Sequence, residues 1–139
     1  MTADIAHRSP PEGFAPHFRK SRVTDPWEPL YSRKTGGVVQ IGLRVGEAHC
    51  NSRGLLHGGV IAALADNAMG LSCVAAMPEH PRGLVTVSLS LDYVGAAKLG
   101  QWLQIEPRVL KVGGSLAFAD ALVTADGATI ARASASFKI

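Results

Sequence analysis

Between Val60 and Met77 the chain reads Val-Ile-Ala-Ala-Leu-Ala-Asp-Asn-Ala-Met-Gly-Leu-Ser-Cys-Val-Ala-Ala-Met, and no other stretch limits the fold so strongly. It is too long for a strand, and Pro78 and Pro81 stop it. The spacing predicts a helix of about five turns. That helix is apolar nearly all round, which marks it as buried rather than as a surface helix. Six alanines (62, 63, 65, 68, 75 and 76) make it slim, so a sheet can wrap closely round it. His57, Asp66, Asn67 and three glycines interrupt the wider run from Leu55 to Met77, which argues against a bilayer span.

Most of the remaining chain alternates at period two, the signature of half-buried strands. Val38–Val45 places Val39, Ile41, Leu43 and Val45 on one face, after a turn at Gly36-Gly37. Leu84–Tyr93 places Val85, Val87, Leu89, Leu91 and Tyr93 on one face, with Thr86 and Ser88 pointing the other way. Trp102–Val112 follows, and Pro107 within it predicts a bulge or an edge, because proline cannot donate to a ladder. Gly113-Gly114 reads as a hairpin turn into Ser115–Ala125. Asp126-Gly127 is a type I′ hairpin signal leading into Thr129–Phe137. One early buried helix followed by antiparallel strands gives an α+β class, with a sheet curled around a central helix. Residues 1–28 carry four prolines and read as a mostly irregular arm with one short helix near Phe14–Ser21. Residues 29–139 form the domain proper.

With 139 residues, 47% of them hydrophobic and 18% charged, the chain suits one folded domain rather than disorder. A net charge of +3, with its basic residues scattered, gives no support for a nucleic-acid partner. It fits a small anionic ligand better. Cys50 and Cys73 lack a C-x-x-C spacing and read as reduced thiols of a cytoplasmic protein. The first residues show no signal-peptide pattern.

The chemistry concentrates in Asn51-Ser-Arg-Gly-Leu-Leu-His57-Gly58-Gly59 and the helix behind it. Backbone N–H groups at a helix start have no intrahelical acceptor and sit at the positive end of the dipole. They suit a developing oxyanion, and glycine lets a substrate approach closely. The same glycines also suit plain packing of the helix start on a sheet. Asp66 lies two turns further on, where an unpaired carboxylate is costly. It needs a partner, a ligand or a raised pKa, and either a catalytic or a structural role would meet that need. His57 is open to a base, ligand or structural role. His49, Cys50 and His57 lack zinc spacing, so no metal is expected. The absence of a G-x-S-x-G elbow argues against a serine triad. Thr86 and Ser88 alone read as ordinary strand residues.

Taken together, Leu56-His57-Gly58-Gly59, Leu64-Ala65-Asp66-Asn67, Leu91-Asp-Tyr93, Ala97-Lys-Leu-Gly100 and Val112-Gly-Gly-Ser-Leu-Ala-Phe118 are similar to the hotdog thioesterases of the phenylacetic-acid-degradation (PaaI-like) subfamily. The resemblance covers roughly residues 38–139. It implies a hotdog fold and hydrolysis of an aryl or medium-chain acyl-CoA to free acid and CoA, with no separate cofactor. It assigns the carbonyl-polarising N–H to Gly58, a second carbonyl contact to Asn51, and the nucleophile or general base to Asp66. His57 falls near the substrate sulfur or carbonyl, and Thr86 supplies a hydroxyl that assists the water. It further implies a homodimer, pairing into a homotetramer, with Asp66 and Thr86 facing Asn51, His57 and Gly58 of the other subunit. Relatives often carry a basic residue where Gly114 stands. An acyl-CoA-binding protein without catalysis and a 3-hydroxyacyl thioester dehydratase or hydratase are the alternatives.

Overall fold

The computed structural model describes residues 8–81 and 83–139. The elements are β1 (Ala15–Pro16), β2 (Tyr31–Thr35), β3 (Val38–Arg44), α1 (Gly58–Ala75), β4 (Val85–Tyr93), β5 (Trp102–Val112), β6 (Leu116–Ala125) and β7 (Ala128–Lys138). Single 3-10 turns stand at Asp25–Trp27 and Glu47–His49. All seven strands form one antiparallel sheet in the order β1-β2-β3-β5-β6-β7-β4.

The helix buries Val60, Ile61, Leu64, Ala65, Ala68, Met69, Ser72 and Cys73. Those residues meet Ile41, Leu43, Leu103, Ile105 and Val123 in the core. Ala117, Ala119, Ala121, Ala131, Ala133 and Ala135 line the buried side of β6 and β7. Small side chains on both surfaces let helix and sheet approach closely, as the helical alanines imply. By length and composition α1 would pass for a membrane span, but its buried face makes it the core helix of a sheet.

Two of the three expected glycine-bearing turns have the positive φ of tight hairpins. Gly36 and Gly37 have φ of 57° and 82°, and Asp126 and Gly127 have 47° and 85°. Positive φ at both central positions matches the right-handed twist of the flanking strands. Pro107 also acts as expected. The β3–β5 ladder ends at Ile41–Ile105, and a bulge follows between Val109 and Lys111. The Val39 N–H turns to Ser72 Oγ of α1 instead, at 2.9 Å.

Two expectations need correction, and one strand was not foreseen. No helix forms near Phe14–Ser21. Ala15 and Pro16 pair with Tyr31 and Ser32 instead, and Phe14 is buried edge-on against Trp102, 5.1 Å between ring centroids. The strand Tyr31–Thr35 has too polar a sequence to declare itself and exists through pairing with β3. The second correction lies in β4. Thr86 pairs with Phe137 and Ser88 with Ser136, so Val87 is an extra, bulged residue. The bulge shifts the phase of alternation. Thr86 therefore shares the helix side with buried Phe137, while Val85 and Val87 stand 63% and 60% exposed.

Candidate active site

The start of α1 is held by two loop carbonyls. His57 N–H donates to His49 O at 2.9 Å, and Leu56 N–H to Ala97 O at 2.9 Å. His49 is itself 2% exposed, accepts from Gly46 N–H through Nδ1 at 2.8 Å, and donates from Nε2 to Trp27 O at 2.8 Å. Burial pushes its pKa below the ordinary value of 6.5. His49 is thus a satisfied structural histidine that anchors the loop.

His57 caps the helix. Its Nδ1 accepts from the Gly59 N–H at 2.8 Å. Val60 and Ile61 both donate to His57 O, at 3.0 and 3.3 Å. Of these first-turn amides, Gly58 N–H alone has no acceptor among the described residues. That is the free donor at the positive helix end that an anionic oxygen requires. Across from it, Tyr93 Oη donates to Gly58 O at 2.6 Å.

Asn51 sits in the tight loop before the helix. Its Oδ1 accepts from Arg53 N–H and Leu55 N–H, at 2.9 and 3.2 Å. With the oxygen so fixed, the amide nitrogen is the end left to donate outward.

Asp66 and Thr86 meet within one chain. Thr86 Oγ1 donates to Asp66 Oδ1 at 2.6 Å, the short distance of a charge-assisted bond. Asp66 is half-buried rather than sealed in, and this hydroxyl is the partner that its position demanded. A pocket of about 470 Å³ opens beside the pair, lined also by Arg19, Asn67, Leu71, His80 and Phe137. His17 Nε2 of the N-terminal arm donates to Asn67 Oδ1 at 3.0 Å, so the arm packs against the helix next to Asp66. Another hollow, of about 610 Å³, lies on the outer face of the sheet. Its arginines are paired as Arg108–Asp120 and Arg132–Asp92, away from the Asp66 pair.

Gly58 and Asp66 are eight residues apart on one helix, roughly 12 Å along its axis. A single thioester cannot touch both in one chain. The structure therefore places the candidate residues in two groups: His57, Gly58 and Asn51 at the helix start, and Asp66 with Thr86 near its middle. Among the described residues no three His, Cys, Asp or Glu side chains gather as a metal centre requires. Burial pushes the Cys50 thiol up and the Cys73 thiol up to about 11, which opposes a thiolate nucleophile at either position. Sequence reasoning missed the contact of Tyr93 with the helix start. A tyrosine among aliphatic residues on a strand face was the available signal, because its hydroxyl needs a partner.

A long antiparallel sheet wrapped on one slim helix, with a free N–H at the helix start, is the hotdog architecture of thioester-handling enzymes. Residues 53–131 match the thioesterase superfamily. A Pseudomonas aeruginosa protein provisionally named an esterase is 39% identical over 130 residues, covering 93% of this chain and 96% of that protein. Human acyl-coenzyme A thioesterase 13 is 39% identical over 100 residues, 69% of each chain. The phenylacetic acid degradation protein PaaI of Thermus thermophilus, in a mutant structure, shares the fold with a TM-score of 0.69 at 21% identity, covering 78% of this chain and 91% of that one. The chain belongs to the thioesterase superfamily and is a hotdog-fold thioesterase.

Proposed function

We propose that this enzyme hydrolyses an acyl-CoA, with an aryl or medium-chain acyl group, to the free acid and CoA. The observation that carries the reading is the Thr86–Asp66 hydrogen bond of 2.6 Å beside an open pocket. The bond fixes one carboxylate oxygen and leaves the other to take a proton from water. The Gly58 N–H and the Asn51 amide polarise the thioester carbonyl and receive the oxyanion as water adds. His57 stands beside them near the departing sulfur. Collapse of the tetrahedral intermediate breaks the C–S bond, and the proton taken from water accompanies the CoA thiolate. Attack by Asp66 itself, through an anhydride, gives the same products.

The two half-sites are joined by a second copy of the chain. Roughly 12 Å separates Gly58 from Asp66 in one subunit, and β4 is an unpaired sheet edge bearing exposed Val85, Val87 and Leu89. Pairing of two such edges brings Asp66 and Thr86 of one subunit toward Asn51, His57 and Gly58 of its partner. Pairing of two dimers into a tetramer extends the same proposal. The human acyl-coenzyme A thioesterase likeness supports the CoA ester.

A thiol-release screen against aryl and alkyl CoA esters, run on the wild type and on Asp66→Asn, tests the reading. Turnover with at least one class is expected, with a loss on the order of a hundredfold or more in the variant. A folded Asp66→Asn protein with near wild-type turnover would sink the assignment.

A further inference from the structure

The functional reading leaves unexplained why both positions after His57 are glycine and why Tyr93 reaches the helix start. The side-chain geometry answers both. A Cβ on Gly58 would lie 3.2 Å from Tyr93 Cζ, tight enough to push the ring away. A Cβ on Gly59 would lie 3.0 Å from both Cε1 and Nδ1 of His57. Each glycine thus clears space for one particular side chain.

Those two side chains are linked through one peptide group. Tyr93 O–H donates to Gly58 C=O at 2.6 Å, and the same peptide's N–H, on Gly59, donates to His57 Nδ1 at 2.8 Å. Donation to the carbonyl polarises the peptide and strengthens its N–H as a donor. A ring nitrogen that accepts cannot carry the proton in a neutral imidazole, so the proton lies on Nε2.

We infer that Tyr93 is a positioning residue: its hydroxyl, acting through the Gly58–Gly59 peptide, holds His57 in the Nε2–H tautomer and fixes the helix start that presents the Gly58 N–H. His57 then faces the substrate as a hydrogen-bond donor and not as a base. This rests on the thioester-hydrolase reading above and adds a residue and a protonation state to it. The tyrosine belongs to the edge strand β4, so the edge that would meet the partner also sets the oxyanion donors.

The test compares Tyr93→Phe, which keeps the ring against Gly58 but removes the hydroxyl, with Tyr93→Leu, which removes both. Nitrogen-15 NMR of labelled histidine, with His57 assigned through a His57→Gln variant, reports the tautomer at neutral pH. Sedimentation confirms that the oligomeric state is unchanged. In the wild type the His57 signals should be those of the Nε2–H form. In Tyr93→Phe they should move toward a tautomer mixture, and kcat should fall about tenfold with KM changed less than about twofold, the weight of one hydrogen bond felt in the transition state. An Nδ1–H tautomer in the wild type overturns the inference. So does a Tyr93→Phe enzyme with wild-type kcat and an unshifted spectrum, even where Tyr93→Leu is impaired, because packing alone then explains the tyrosine. If no CoA ester is turned over by the wild type, the functional reading fails, and the spectra still decide the relay.

Discussion

Replacing Thr86 by valine keeps the shape of the side chain and removes only the hydroxyl. The structure sets the size of the effect. The Thr86–Asp66 separation is 2.6 Å, within the range of a hydroxyl bound to a carboxylate. Hydrogen bonds to charged groups contribute about 1.5–3 kcal/mol. Thr86 is exposed and Asp66 half-exposed, so water can partly replace the hydroxyl and the low end, about 1.5 kcal/mol, applies. At about 1.4 kcal/mol per decade this is roughly a tenfold fall in kcat. The assay is thiol release across a range of substrate concentrations. KM should change less than about twofold, because the hydroxyl steadies the base and not the CoA ester. Thr86→Ser should stay near wild type, since the donor remains. In an Asp66→Asn background the valine should cost much less than tenfold, because the two groups act as one unit. Full multiplication of the two losses, or wild-type kcat in Thr86→Val, would refute the reasoning.

Other predictions concern stability and assembly. Burial holds the pKa values of His17 and His49 below 6.5. Above that pH folded and unfolded chains are both neutral at these sites and the contribution is fully present. As pH falls through 6.5 only the unfolded chain binds the protons, so the urea midpoint should drop between pH 7 and 5. A flat midpoint would contradict the burial argument, and His49→Asn should make the pH dependence shallower. Gly42→Ala places a Cβ into the Trp102 ring and 3.0 Å from Leu103 O, so thermal unfolding should show a loss of about 1–3 kcal/mol. A change below about 0.5 kcal/mol would mean that Trp102 moves freely, against its contacts with Phe14 and Tyr31. Val85→Glu with Val87→Glu sets like charges along the β4 edge. Sedimentation should show monomers, and thiol release should vanish with the dimer. Monomers with full activity would refute a shared site.

Much of the architecture was legible because it rests on local rules. A run of apolar residues closed by prolines could only be a buried helix, and Asp126-Gly127 could only turn a hairpin tightly. What stayed hidden depended on partners distant in sequence. Tyr31–Thr35 is polar and becomes a strand only against β3. Phe14 leaves the arm because Trp102 is there to pack on, and Trp102 can lie flat because residue 42 is glycine. The site was legible in the same graded way. Asp66 announced itself as a costly carboxylate in an apolar helix, whereas its hydroxyl partner was assigned by family resemblance while the alternation of β4 pointed it away from the helix. Tyr93 read as one more apolar residue on a strand face, since nothing near it in sequence shows that Gly58 is opposite.

The β4 bulge explains why alternation failed where function lies. An unbroken ladder would have kept Thr86 in phase with Ser88, Ser90 and Asp92, all on the outer face of the sheet. Val87 adds one residue to β4, and the phase reverses at that point alone. Thr86 then turns toward Asp66, while Leu89, Leu91 and Tyr93 keep the helix side through their pairing with Ala135, Ala133 and Ala131. The same step leaves Val85 and Val87 largely exposed beside an open strand edge. Exposed valines at a sheet edge are a liability in a lone monomer, because unpaired N–H and C=O groups there invite another strand. Under the proposed function they become an asset, because that strand would belong to a second copy bringing the Gly58 N–H that Asp66 lacks nearby in its own chain. On the proposed reading, one extra residue therefore couples the Asp66–Thr86 pair to the surface that would complete its site.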